Sequence, residues 1–324
     1  MEKTLLLISA DPQDQAFAAE VAVQTGQSLR VIADPKAAMA VIAEGSATTI
    51  FADVSTARLY TTLESAIQET VGLFSDRINA NTIHFLSTPD LQECTYLKDS
   101  PIFGNFVLKN YGDPVEAGAH YSRIVRASLS DRAFGLKTLL SADGKIQPIQ
   151  LQVSSQKQEA VEAVKKYLIA AKVHSRMANV VANAVDELIM NAIYAAPADD
   201  LGKPLLNATA RNTLIKLEGR NAIEASVGFD GKYVAFSAAD KYGSLDKAKL
   251  IQHLSKVYTE EEYKLKTNVA GAGLGLATLF RWGGSFLFST EAGNRTEVTF
   301  FLKRFASYKD FKKQFRFVST QYYL

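Results

Sequence analysis

A chain of 324 residues with 47 % apolar composition is long enough for about two domains with buried cores. Its 36 Lys and Arg nearly cancel 34 Asp and Glu; a net charge of +2 supplies no strong field for nucleic acid, and the aromatics form no nucleic-acid-binding motif. The one cysteine, Cys94, excludes an intrachain disulfide and a cysteine metal cage, and the longest apolar runs are strand-sized, so the expectation is a cytoplasmic protein with no transmembrane segment and no secretory leader.

The first 127 residues alternate apolar runs with helical patterns. Thr4 to Ser9 reads as a buried strand, Gln15 to Thr25 as a helix with Phe17, Ala18, Val21 and Ala22 on one face, and Leu29 to Ile32 as a strand. Pro35 to Ala43 reads as a helix and Thr48 to Val54 as a strand, and Thr82 to Leu86 and Asn105 to Leu108 complete the set. This pattern predicts an α/β domain with a doubly wound, parallel five-stranded sheet, whose ligands sit at the carboxyl ends of the strands.

Residues 128–155 are less regular and read as a linker and first strand region, with a turn at Asp143-Gly144 and strand alternation over Ile149 to Val153. From Gln156 to about Ala196 the pattern is helical, broken near Lys172-Val173-His174. Phe229 to Ala238 alternates like a strand, and Lys241 to Ala270 is polar and Lys-rich. Gly271 to Leu279 is a glycine-rich turn entering a helix, and Phe286 to Ser289 pairs with Thr296 to Leu302 around Gly293-Asn294. Residues 156–305 thus predict an α/β sandwich with a mixed or antiparallel sheet. Residues 306–324 are a basic, aromatic C-terminal segment.

Three motifs carry chemistry. In Asp186-Glu187-Leu188-Ile189-Met190-Asn191-Ala192, Glu187 and Asn191 are four apart and project from one helix face, opposite an apolar stripe. Such a helix either faces water or offers a pocket a carboxylate and an amide oxygen. Oxygen ligands suit Mg²⁺, and the carboxylate can orient or deprotonate a nucleophile. Asp240, in Ala239-Asp240-Lys241-Tyr242-Gly243, ends an apolar strand, where a carboxylate can accept from an exocyclic amine and Gly243 lets backbone approach a flat ring. In Gly271-Ala272-Gly273-Leu274-Gly275-Leu276, alternating glycines let backbone N–H groups close on phosphates at a helix start. The Lys-rich stretch before it, and the lack of a suitably placed acid after it, argue against a dinucleotide fingerprint.

The order and spacing of these pieces over about residues 150–305 resemble the GHKL superfamily of ATP-binding domains (the Bergerat fold), shared by histidine kinases, anti-sigma-factor kinases and Hsp90-like ATPases. E-L-I-M-N-A resembles its N-box, D-K-Y-G its G1 box, G-A-G-L-G-L its G2 box, and Gly293-Asn294-Arg295-Thr296-Glu297-Val298 its closing strand. The resemblance implies ATP or ADP with Mg²⁺ as cofactor. It implies Asn191 as metal ligand, Glu187 as catalytic base, Asp240 and Gly243 at adenine, and Thr296 supporting that site. Gly271, Gly273, Leu274 and Gly275 fall at the phosphates, and Lys241 to Ala270 is the lid. The chain departs from the family's D-x-G-x-G at Tyr242 and Ser244.

Residues 1–127 resemble a two-component receiver. The resemblance assigns Asp53 as phospho-acceptor, Ser87 or Thr88 as switch hydroxyl and Lys109 as the lysine after the fifth strand. Receivers hold Mg²⁺ with an acidic pair after the first strand. Here Asp11 stands alone, with Ser9 and Ala10 in the pair's places, and Asp14 helps only if the loop folds back. Asn110 stands where a proline commonly follows the lysine. These departures favour a pseudo-receiver acting as a homodimerisation or partner-binding module.

Of His84, His120, His174 and His253, only His174 stands near the N-box, too close for a separate histidine-bearing dimerisation domain. The layout is therefore nearer to anti-sigma-factor kinases, and His174 reads as a helix-start residue. In the tail, Lys303, Arg304, Lys309, Lys312, Lys313 and Arg316 interleave with Phe305, Tyr308, Phe311, Phe315 and Phe317, which either docks on an acidic partner or membrane surface or packs on its own domain. Two functions remain open. One is a bacterial signalling kinase that transfers the γ-phosphoryl of ATP to a partner's Ser, Thr or His. The other is a non-catalytic, nucleotide-gated protein-binding module.

Overall fold

The computed structural model describes residues 3–45, 47–71, 79–130, 133–206, 208–255, 276, 279–280, 283–305 and 315–323. The chain is mixed α/β and divides into two compact units, Met1–Ala133 with Gln314–Thr320, and Phe134–Lys313 with Gln321–Leu324. Among the described residues, no helix is long and apolar enough to cross a membrane.

The first unit runs β1 (Thr4–Ile8), α1 (Pro12–Thr25), β2 (Ser28–Val31), α2 (Pro35–Ala43), β3 (Ala47–Asp53), α3 (Ala57–Val71), β4 (Ile83–Ser87), β5 (Asn105–Leu108) and α4 (Pro114–Ser128). Three of its helices start the same way. Asp11, Asp34 and Asp113 cap α1, α2 and α4 by accepting backbone N–H groups, and a proline follows each at the first helical position. Strands β1 to β5 are parallel, in the order β2-β1-β3-β4-β5. Helix α1 packs beside α4, and α2 beside α3. The order reverses direction at β1, so the carboxyl ends of β1, β3 and β5 open onto one crevice.

A further strand, β11 (Arg316–Tyr323), completes this sheet from the chain's far end. Arg316–Ser319 pairs antiparallel with Leu108–Asn105. Phe315 and Phe317 join the aromatic core of Phe17, His84 and Tyr121, and the Arg316 guanidinium meets Asp90 at 3.0 Å. Phe317 is therefore a core residue, and the half-buried Phe315 packs against it. Tyr308, Phe311, Lys309, Lys312 and Lys313 lie outside the described residues.

The second unit holds β6 (Lys145–Ile149), α5 (Lys157–Ala170), α6 (Ser175–Met190), β7 (Glu224–Phe229), β8 (Tyr233–Asp240), α7 (Lys247–Leu254), β9 (Ser285–Glu291) and β10 (Arg295–Lys303). Its strands are all antiparallel to their neighbours, in the order β9-β10-β8-β7-β6. Helix α6 packs on α5 and lies against β8 and β10, burying Val181, Ala184, Val185, Leu188 and Ile189. The helical break falls where expected: Lys172 takes a left-handed φ of 58°, and the His174 ring Nδ1 caps α6 by accepting the Arg176 N–H at 3.2 Å. Sequence alternation over Ile149 to Val153 shifts in the structure to β6 at Lys145–Ile149, with Val153 forming an isolated bridge to Lys216. The strand expected from Phe229 resolves into a hairpin, β7 and β8, turning at Asp230-Gly231. Asp230 Oδ1 accepts the N–H groups of Lys232 and Tyr233, and Gly231 has φ +87°.

Candidate functional site

The last turn of α6 does not end as an α-helix. Residues Asn191–Ala195 form a π turn closed by Ala196 N–H to Asn191 O at 2.9 Å. A π turn inserts an extra residue and widens the helix, often at functional sites. Here it carries Asn191, Ala192, Ala195 and Ala196 into the wall of a cavity of about 260 Å³, just below the roughly 300–1,000 Å³ usual for ligand sites. Ser244 Oγ donates to Ala196 O and fixes the end of this turn to the loop after β8.

Asp240 and Thr296 line the same cavity. They are register partners on the adjacent strands β8 and β10. Asp240 is 7 % exposed. Its Oδ1 accepts the N–H of Tyr242 at 2.8 Å and of Gly243 at 3.3 Å. Burial pushes its carboxyl up to about 6, against the pull of backbone N–H groups from Tyr242, Gly243 and Thr296 and the charge of Arg295. Thr296 is 5 % exposed, and its Oγ1 has no hydrogen-bond partner among the described residues. A buried carboxylate and an unsatisfied hydroxyl side by side cost stability unless a ligand meets them. The remaining wall is mostly apolar, with Leu188, Ala238, Leu250, Phe288 and Val298 among its residues. The donor set fits a flat heterocycle that presents an amine to Asp240 and a polar ring edge to Thr296.

The other expected residues are placed differently. Glu187 is not part of the cavity wall, and stands one helical turn before Asn191. Gly243 is not a wall residue either. It has φ +59°, and a Cβ there would come within 2.1 Å of Glu291 O and 2.7 Å of Gly293 N. The absent side chain lets the loop after Asp240 press on the β9–β10 turn, where Gly293 N–H donates to Gly243 O at 3.2 Å. Tyr242, the departure from the family pattern, is buried under the Arg220 guanidinium, 4.9 Å from the ring centroid, and its hydroxyl bonds Asn221 Oδ1. Gly271, Gly273, Leu274 and Gly275 lie outside the described residues, as does the stretch 256–270 of the expected lid. The described start of that stretch is α7, capped by Asp246. It contributes Lys249, Leu250, His253 and Leu254 to the wall. Sequence reading missed this helix, although Leu250, Ile251 and Leu254 carry helical spacing within the polar run.

In the first unit, the carboxylates do converge. The Lys109 ammonium lies 2.7 Å from Asp14 Oδ2, 2.8 Å from Asp53 Oδ2 and 3.6 Å from Asp11 Oδ2. Burial pulls Lys109 down, but its bonds to Asp14 and Asp53 outweigh that and hold it above its ordinary value. Asp14, on the first turn of α1, is fully buried and also accepts Ser9 Oγ at 2.6 Å and Tyr111 OH at 2.8 Å. Asp53 Oδ1 accepts the N–H of Ser55 at 2.9 Å and its Oγ at 2.6 Å. Thr88 Oγ1 is 3.2 Å from Ser55 Oγ. Ser87 is buried, and its Oγ donates to Pro89 O. Of the two switch candidates, Thr88 is therefore the one linked to Asp53, through Ser55.

Among the described residues, no cluster of three or more His, Cys, Asp or Glu is set to hold a metal ion. No protein-family model matches the chain, and no curated protein matches its sequence.

Proposed function

We propose that this chain is a bacterial-type signal-transduction protein whose second unit binds ATP with Mg²⁺ and passes the γ-phosphoryl group to a Ser, Thr or His of a partner protein, under control of a receiver-like first unit. One observation carries the reading: Asn191, Asp240 and Thr296, far apart in sequence and assigned to one nucleotide by the GHKL resemblance, line one cavity. Asp240 would accept from the exocyclic amine of adenine, and Thr296 Oγ1 would bond the ring edge. Apolar side chains would cover the base faces. Asn191 would hold Mg²⁺ through its amide oxygen, an oxygen ligand of the kind this ion takes together with substrate phosphates. Bound there, Mg²⁺ would neutralise phosphate charge during transfer. Glu187, a turn away, would orient the acceptor group.

A second reading, a nucleotide-gated binding module with a silent pseudo-receiver, has its own support. Glu187 stands outside the cavity wall, and both oxygens of Asp53 already have partners. Calorimetry with ATP and ADP, followed by incubation with γ-labelled ATP, separates the readings. Heat plus label transfer that disappears in Glu187→Ala supports the kinase. Heat without ADP formation selects the gated module. No heat with either nucleotide sinks both.

A further inference from the structure

Resting on the nucleotide reading, we propose that α7 reads the phosphate chain through Lys249 and His253, so that the site distinguishes phosphorylation state as well as base. The base end of the cavity is fixed by Asp240 and Thr296, at the paired ends of β8 and β10. Helix α7 forms a different wall with Asp246, Lys249, Leu250, His253 and Leu254, residues three and four apart that share one face. Leu250 and Leu254 are the buried members of that face. Among the described residues around the cavity, Lys249 and His253 are the cation-forming side chains, and both belong to α7.

The ammonium of Lys249 is 3.5 Å from Asp246 Oδ2, with the two side chains 76 % and 47 % exposed. An exposed pair of this kind holds weakly, so the lysine can turn to a phosphate at little cost. Phosphate oxygens leaving a base seated on Asp240 would meet a wall whose neutral part is apolar and whose remaining α7 side chains are Lys249, its weakly held partner Asp246 and the cation-forming His253. Charge-assisted bonds to phosphate are the strong kind. A nucleoside lacking phosphates would leave α7 with apolar contacts alone.

The test compares adenosine, AMP, ADP and ATP by calorimetry on the full-length chain and on Lys249→Ala, Lys249→Arg, His253→Ala and the Lys249→Ala/His253→Ala double variant. Wild-type affinity should rise with phosphate number. The alanine variants should bind ADP and ATP about 5- to 20-fold more weakly each while holding adenosine within about twofold, and Lys249→Arg should retain most of the affinity. Equal loss for adenosine and ATP would reduce α7 to a passive wall and overturn the inference while leaving nucleotide binding standing. ATP binding unchanged in the double variant would overturn it too. A wild-type chain that binds neither adenosine nor ATP would overturn the nucleotide reading itself.

Discussion

Replacing Asp240 by asparagine should make the protein more stable and the site worse. Asn has nearly the same shape, and its amide oxygen can still accept the N–H groups of Tyr242 and Gly243. What disappears is a charge that is 7 % exposed. The carboxyl is pushed from 3.8 to about 6, so holding it ionised costs the fold about 3 kcal/mol at neutral pH, at 1.36 kcal/mol per unit. The sign follows from the raised value. The cost is absent below the unfolded value of 3.8, grows as pH rises, and is complete above about 6. Asp240→Asn should therefore match wild type near pH 4 and exceed it by about 2–3 kcal/mol near pH 7.5, a rise of very roughly 5–10 °C in the second unit's melting temperature. The same change should weaken ATP about 10- to 100-fold, the value of a hydrogen bond to a charged acceptor. Calorimetric melts of both proteins at the two pH values, without nucleotide, provide the measurement. A variant that is less stable than wild type at pH 7.5, or differs from it equally at both pH values, would mean the carboxylate serves the fold, and the argument from its burial would be wrong.

Three further predictions concern the framework. His84 is fully buried with Nδ1 2.8 Å from Tyr121 OH, and burial pushes it down to about 3. Because the folded value is lowered, stability holds above about 6.5 and falls as pH drops toward 3, by about 2 kcal/mol at pH 5; His84→Gln should flatten that slope in acid denaturation curves, and an unchanged slope would assign it to other groups. Lys109→Ala leaves Asp14 buried without its cation and should cost about 3–5 kcal/mol in denaturant titrations, most of it recovered in Lys109→Ala/Asp14→Asn; a loss under 1 kcal/mol would contradict the cluster's weight. Gly243→Ala forces a Cβ against the Glu291 carbonyl at a left-handed φ and should destabilise by about 2 kcal/mol or more while weakening ATP binding, whereas near-neutral behaviour would show that the turn yields easily.

Much of the fold could be read from local chemistry. The five parallel strands were legible because each is a short apolar run, and α1 and α2 because their apolar positions recur at helical spacing. Helix α4 went unread, although Asp113-Pro114 repeats the Asp-Pro start of α1 and α2. Strand β11 was hidden for a different reason. Its partner β5 lies some 200 residues earlier, and lysines around it disguise Phe315 and Phe317 as a surface segment. At the site, Asn191 was legible as a polar side chain opposite an apolar helix stripe, and Asp240 as a carboxylate at a strand end. The π turn was not, since no residue in Asn191–Ala195 demands it locally. Nor was the role of Tyr242, which depends on Arg220 and Asn221 approaching from another loop.

The first unit's acidic crevice shows how one residue's position changes the chemistry that a motif permits. The sequence leaves Asp11 as a lone acid after β1, yet the fold supplies a second, Asp14, one turn into α1. It is not thereby a vacant metal ligand. Its two oxygens are engaged by Ser9, Tyr111 and Lys109, and Lys109 also holds Asp53. A phosphoryl group on Asp53 would have to displace Lys109 or Ser55 and add roughly one further negative charge. Asp14, fully buried, could not turn away from it. Displacing Lys109 would strand Asp14, at the several kcal/mol expected of a buried charge that loses its partner. Phosphorylation would be stabilised only by a cation able to compete with an ammonium already held between two carboxylates. That competition is the physical ground for proposing a first unit that acts through its surface instead of through phosphate. Acetyl phosphate labelling the wild-type chain but not Asp53→Ala would show that the competition is won.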